Sequence, residues 1–303
     1  MKILITGAFK INQKQKKILK ELGFSLYFHK DEKEKVSTRF YDVDGIICNS
    51  LFLHNDIKNF KKLKFIQLTS AGFDRVPIEY IKRKKIKIYN AKGVYSTPIS
   101  EWVVLRILEI YKKIREFENL QKKHKWEKIR DLEELTGKVV GILGYGDIGK
   151  EIAKRLKPFG VKIFVYDIRD VKDELIEKRY NTKNINEFLK NIDILVISLP
   201  LNEKTKGMLD FKKLKYMKKD SILINISRGE VIKEKDLIRI LKGKKFKGVY
   251  LDVFENEPLP PDSPLWNFEN VYITPHNSFQ SQKNDKRLFS IIYKNLKKVL
   301  GKK

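Results

Sequence analysis

Apolar and polar positions along the chain fall into two alternating patterns. Short apolar runs, KILITG at the N-terminus and then SLYF, VDGIICN, KFIQLTS and KIYNA, are separated by stretches in which apolar residues recur at helical spacing among lysines and glutamates. Continuous apolar runs mark strands buried on both faces. The order strand, helix, strand therefore predicts a parallel sheet covered by helices. A longer amphipathic segment runs from Pro98 to about Gln121. Proline suits a first helical turn, and Ile99, Trp102, Val103, Leu105, Ile107, Leu108, Ile110 and Tyr111 leave little exposed face, so one long helix is expected. After the charged stretch KKHKWEKIRDLEELTGK a second series opens, with strands KVVGILG, KIFVYD, IDILVIS, SILINIS, FKGVYLDV and NVYIT. The pattern predicts two α/β domains, with no repeat at solenoid periods and no low-complexity linker.

Composition narrows the class. With 303 residues, 42% of them hydrophobic, the chain can bury two cores. No segment approaches the roughly 18 to 20 uncharged apolar residues of a membrane span, so no membrane partner is expected. MKILITGAF has too short an apolar part for a signal peptide and is followed by a lysine-rich helical pattern, so it is expected to be the first strand. The single cysteine, Cys48, rules out an internal disulfide, suggests a cytoplasmic setting, and lies inside an apolar run where structural thiols sit. The net charge of +27 raises nucleic acid as a partner. Yet the lysines are spread over the whole length, and the densest run, IKRKKIKIY, brings no arginine cluster with aromatic platforms. The excess reads as solvated surface.

Two groups of residues carry candidate chemistry. In KVVGILGYGDIGKEIAKRLKPFGVKIFVYD, glycines 144, 146 and 149 form G-x-G-x-x-G between a strand and an amphipathic helix. The residues Gly144, Tyr145, Gly146, Asp147, Ile148 and Gly149 would form a tight turn, let a pyrophosphate approach the backbone and offer it the helix N-terminus. The next strand ends at Asp167, where a carboxylate can accept from both ribose hydroxyls and repel a 2′-phosphate, which favours NAD. Arg169 leaves room for NADP. A bare packing turn is the alternative, which the ordered strand, turn, helix and acid argue against. The second group sits at strand ends, where open α/β sheets bind ligands. Arg228 follows SILINIS, Asp252 ends FKGVYLDV with Glu257 soon after, and His276 follows NVYIT behind Pro275. Each alone could be a surface arginine, a turn acid or a loop histidine. Together, a guanidinium for a carboxylate and an imidazole oriented by a carboxylate make a kit for reducing a 2-keto acid with NADH.

The ordered set GILGYGDIG, VYD, SLPLNEKTKGML, INISRGEVI, LDVFENEPLP and PLWNFENVYITPH resembles the D-isomer-specific 2-hydroxyacid dehydrogenases. QLTSAGFDRV is similar to the family's substrate loop and NAKGVYSTPISEWVV to its hinge and interdomain helix. The resemblance implies a flavodoxin-like substrate domain, residues 1–97 with 283–303, and an inserted Rossmann NAD-binding domain, residues 98–282, with the active site in the cleft. It implies His276 as the acid that protonates the ketone oxygen, and Glu257 as the partner that sets its tautomer and favours its protonated form. Arg228 would bind the substrate carboxylate, together with backbone near Ser70, Ala71 and Gly72. Asp252 would contact the nicotinamide carboxamide, while Leu199, Pro200, Thr205 and Ile226 line the cofactor. No metal is expected, and members are usually homodimers, with the segment around Trp126 as an arm. Three departures stand out: Ser198 where the family often has His, Phe73 in the substrate loop, and NSFQSQ after His276. Three other readings remain open. A formate dehydrogenase would resemble this chain with Gln in the Glu257 role. An NAD-sensing corepressor would keep the same scaffold. A nucleic-acid binder would use the charge.

Overall fold

A computed structural model describes residues 1–302. Backbone contacts divide them into two compact units, Met1–Tyr95 with residues 281–302, and Ser96–Gln280. In the first unit the strands are β1 (Lys2–Thr6), β2 (Ser25–His29), β3 (Gly45–Cys48), β4 (Phe65–Leu68) and β5 (Lys87–Tyr89). All pair in parallel in the order β2-β1-β3-β4-β5, the flavodoxin-like order. The central strands β3 and β4 are buried at every position, which is why their sequences, GIIC and FIQL, are nearly unbroken apolar runs. Cys48 lies in that interior, and burial pushes its thiol well above the ordinary range, as expected of a packing residue.

The last helix, Asn284–Val299, returns to the first unit. Its Leu288, Ile292 and Leu296 are buried in one cluster with Ile3, Ile5 and Phe65, and Asn295 donates to the buried Gln67 carboxamide oxygen at 2.9 Å. Residues almost the length of the chain apart therefore share one core.

The second unit contains β6 (Val139–Leu143), β7 (Lys162–Tyr166), β8 (Lys178–Tyr180), β9 (Ile194–Ile197), β10 (Ser221–Asn225), β11 (Phe246–Leu251) and β12 (Val271–Ile273). All are parallel, in the order β12-β11-β10-β9-β6-β7-β8. This is a doubly wound Rossmann sheet whose strand order reverses beside β6. Among the described residues no helix is long and apolar enough to cross a membrane.

Two elements differ from expectation. β8, KRY, is a short edge strand with only Tyr180 buried, so its sequence carries no apolar run to mark it. The helix expected over residues 98–121 is two helices, Ser96–Tyr111 and Ile114–Lys122. Lys113 adopts φ 51, a left-handed residue that stops the first helix. The first helix buries Val103, Ile107, Ile110 and Tyr111, whereas the second buries no side chain. Its helical spacing continues, but the packing that would keep it in line does not. Lys112 and Lys113 instead bond to Glu133 and Asp131 of the following segment.

Truncating the returning helix tests its place in the first core. Ile292→Ala should lower the unfolding free energy by about 2–4 kcal/mol in urea titrations. A loss below about 1 kcal/mol would mean that the helix is not docked there.

Candidate active site

The strand β6 ends in the glycine turn. Gly144 has φ +95, a conformation that L side chains rarely adopt, and its amide donates to Tyr166 of β7. A Cβ on Gly149 would lie 2.4 Å from the Gly144 carbonyl oxygen, so helix and turn touch there. A Cβ on Gly146 would meet nothing within 4 Å. The protein's own packing thus leaves open the one glycine that a bound pyrophosphate would approach. Gly146 also caps the helix Asp147–Leu156 without any side-chain hydrogen bond, so the amides and positive dipole end of its first turn suit a phosphate. These residues fit a dinucleotide. Ser198, which follows β9, donates to the Gly144 carbonyl at 2.6 Å, and Leu199 packs on Gly144. Thr205 donates to Pro200 at 2.7 Å, closing the next turn, and Ile226 follows β10 nearly buried.

Asp167 is 5% exposed at the end of β7. Its Oδ2 accepts from the Tyr145 amide at 2.7 Å and from Arg169, and its Oδ1 from the Arg169 amide and Nε. Burial pushes its carboxyl up, but the arginine and the two amides outweigh it and hold the group below the ordinary carboxylate value. Four donors match the roughly four lone-pair sites of a carboxylate. A ribose hydroxyl would therefore bind Asp167 in exchange for an Arg169 contact.

Arg228, Glu257 and His276 lie at neighbouring strand ends. Asn225, the last residue of β10, accepts from the amide and hydroxyl of Ser227 and donates to the Arg228 carbonyl at 3.0 Å, which shapes the turn. A Cβ on Gly229 would fall 1.8 Å from the Phe254 carbonyl carbon, so only glycine lets this turn press on the loop after β11. That loop carries Glu257. Its Oε1 accepts from the Phe254 amide at 3.2 Å, and its Oε2 lies 2.9 Å from Nδ1 of His276. Burial raises the Glu257 carboxyl, but His276, the Phe254 amide and the charge of Arg228 together hold it below its ordinary value. Because a carboxylate only accepts, Nδ1 carries the hydrogen, and Nε2 is the nitrogen turned to other work. The His276 ring also meets Phe279 edge-on at 6.0 Å.

Asp252 has a different setting. It is 1% exposed, and its carboxylate accepts from Thr274, Asn277 and Ser278, the residues around His276. In the first unit, the Ser70 hydroxyl donates to Gly72, Asn90 donates to the Ala71 carbonyl at 2.6 Å, and the Ala91 amide to that of Ser70. The loop after β4 is thus held by β5 and its continuation, with Phe73 41% exposed at its tip.

The model of the D-isomer specific 2-hydroxyacid dehydrogenase, NAD binding domain, matches residues 104–278. The chain belongs to this family. The second unit is accordingly an NAD-binding Rossmann domain, and the chain an NAD(P)-dependent 2-hydroxyacid oxidoreductase. Its relatives include the D-3-phosphoglycerate dehydrogenase of Methanocaldococcus jannaschii, 32% identical over 99% of this chain, which spans 57% of that protein. The glyoxylate reductase of Thermofilum pendens is 34% identical over 78% of this chain and 72% of its own length. Among solved structures, the D-lactate dehydrogenase of Aquifex aeolicus complexed with NAD and lactic acid has a TM-score of 0.81 at 26% identity, over 99% of this chain and 95% of that one.

Sequence reasoning singled out Arg228, Glu257 and His276, and the structure gathers them. It missed Asn225, Thr274 and Ser278, which organise the turns that carry them. Polar residues ending apolar strands were the available signal for the first two.

The glycines separate packing from ligand binding. Gly149→Ala should lower the thermal midpoint by about 5 °C or more, since a Cβ there meets backbone. Gly146→Ala should unfold within about 2 °C of the unsubstituted protein yet bind NADH about tenfold more weakly in a fluorescence titration. Unchanged NADH affinity in Gly146→Ala would remove the turn from the cofactor site.

Proposed function

We propose that the protein interconverts a short D-2-hydroxy acid and its 2-keto acid, with His276 as acid and base. One observation carries this reading: the carboxylate of Glu257, anchored by the Phe254 amide, holds Nδ1 of His276 at 2.9 Å, at the same sheet edge as the glycine turn. NADH bound at that turn supplies the hydride. In reduction, His276 releases the Nε2 proton to the ketone oxygen as C2 gains the hydride, and the imidazole is left neutral. Glu257 keeps its negative charge throughout and stabilises the imidazolium before transfer. Oxidation reverses both movements. Arg228 binds the substrate carboxylate and polarises the carbonyl, and we assign a share in carboxylate binding to the backbone of Ser70, Ala71 and Gly72. The names of the relatives favour glyoxylate and keto acids of similar size. The negative charge of Asp167, against which Arg169 is already paired, favours NADH over NADPH.

We also propose a homodimer. The helix Ile114–Lys122 buries none of its side chains while Ile114 and Phe117 are exposed, and Trp126 is 99% exposed. Apolar surface of this kind marks a protein contact, and a second copy is the partner suggested by the family.

NADH oxidation against glyoxylate, hydroxypyruvate, pyruvate and a bulkier 2-keto acid, repeated with NADPH, tests the activity. His276→Ala should lose about 10³-fold or more in turnover while binding NADH normally. If no keto acid is reduced with either cofactor, the proposed reaction is wrong. For the dimer, sedimentation equilibrium should give twice the chain mass, and Trp126→Glu should weaken association about tenfold or more. A monomer at micromolar concentration before substitution would refute it.

A further inference from the structure

His276 has φ 49, in the left-handed region, and it is neither glycine nor asparagine. Such a residue costs on the order of 1 kcal/mol or more and persists only where the surroundings hold it. Asp252 supplies much of what holds it. The His276 amide donates to the Asp252 carbonyl at 2.8 Å. The Asn277 amide donates to Asp252 Oδ1 at 2.8 Å, and the Ser278 amide is shared between Oδ1 and Oδ2 at 3.2 and 3.1 Å. Successive amides turned inward around a left-handed residue make an anion nest, and here the anion is a side chain of the same protein. Hydroxyls add to its shell, Thr274 to Oδ1 at 2.5 Å, Ser278 to Oδ2 and, at 3.4 Å, Tyr250 to Oδ1. Tyr250, bonded to Thr274 at 2.6 Å, backs the first of them.

Asp252 and Ser278 are both buried, so neither carboxylate nor hydroxyl has water as a substitute partner. Removing one donor leaves a buried charge short of its shell. The charged and titratable groups facing His276 are Glu257, paired with its ring, Asp252 beneath its backbone, and Arg228, whose charge is felt at Glu257. Ser278 lies in the NSFQSQ stretch that follows His276.

We infer that Asp252 and Ser278 are positioning residues for His276: the buried carboxylate, closed by the serine hydroxyl, holds the histidine in its left-handed turn and so sets the contact of its ring with Glu257. The inference rests on His276 being the acid and base of the proposed reaction.

The test is Ser278→Ala in the full-length protein, alone and combined with Glu257→Gln. With keto acid and NADH, kcat should fall about tenfold while KM and the NADH dissociation constant change less than about twofold. The alkaline midpoint of the kcat profile should move to lower pH, because a loosened Glu257 contact stabilises the protonated ring less. In the Glu257→Gln background the serine substitution should cost little more, since both act on one contact. Ser278→Thr, which keeps the hydroxyl, should restore the rate. An unchanged kcat and midpoint, or an equal loss in both backgrounds, would overturn the inference and leave the serine a packing residue. If Ser278→Ala does not fold, Thr274→Val removes the other hydroxyl with little change of shape and decides by the same criteria. Absence of turnover before any substitution would refute the reaction alone. The ring titration of His276, resolved by NMR among four histidines, then decides whether Ser278 sets its environment: a displaced midpoint in Ser278→Ala supports positioning, and an unmoved one overturns it.

Discussion

A parallel sheet sends the carboxyl ends of all its strands to one edge, and everything chemical in the second unit depends on that constraint. β6, β7, β9, β10, β11 and β12 each stop at the same level, and the residues after them are the glycine turn, Asp167, Ser198, Arg228, Asp252 with Glu257, and His276. They are widely separated in the chain and come together because the strands that deliver them are neighbours in one register. The apolar runs that make the sheet are thus also what aim the site. Burial of β9 and β10 at every position leaves no freedom to slide, since a slip of one residue would turn each strand end to the other face.

Two carboxylates at this edge show how the turns are built. Asp167 and Asp252 are both nearly buried, and each is surrounded by donors of its own chain. Their surroundings differ in one respect. The shell of Asp167 includes Arg169, a half-exposed side chain that can leave. That of Asp252 includes the backbone amides of Asn277 and Ser278, which cannot leave without unmaking the turn. The first arrangement suits exchange with a ligand and the second suits holding a residue in place. Glycine contributes similarly in two ways. Gly149 and Gly229 are required by backbone already present, while Gly146 is required only if something else arrives.

The two missed elements have a common cause. β8 and the break at Lys113 both lie where packing is thin, at a sheet edge and at the end of a helix whose continuation buries nothing. Periodicity reports how a segment would pack if it had something to pack on. Over Ile114–Lys122 the spacing is helical and the segment is helical, yet its direction is set by the bonds from Lys112 and Lys113 to Glu133 and Asp131, partners that no local pattern announces.

From the chain alone came the alternation of strand and helix, hence a doubly wound parallel fold, and the glycine spacing with its acid, hence a dinucleotide turn. These follow from local rules, because burial on two faces and a tight turn each leave a mark within a few residues. The same holds for the identity of Arg228, Glu257 and His276, which polar residues at strand ends make conspicuous. Only the tertiary structure decided how they meet. That Glu257 is held at both oxygens, that Gly229 lets one turn press on another, and that Asp252 clasps the left-handed turn of His276 are contacts between strand ends. Such contacts depend on which strands are neighbours. Ser278 is the clearest case: in sequence it is one polar residue among several in a loop, and in the fold it is a buried donor to a carboxylate 26 residues upstream.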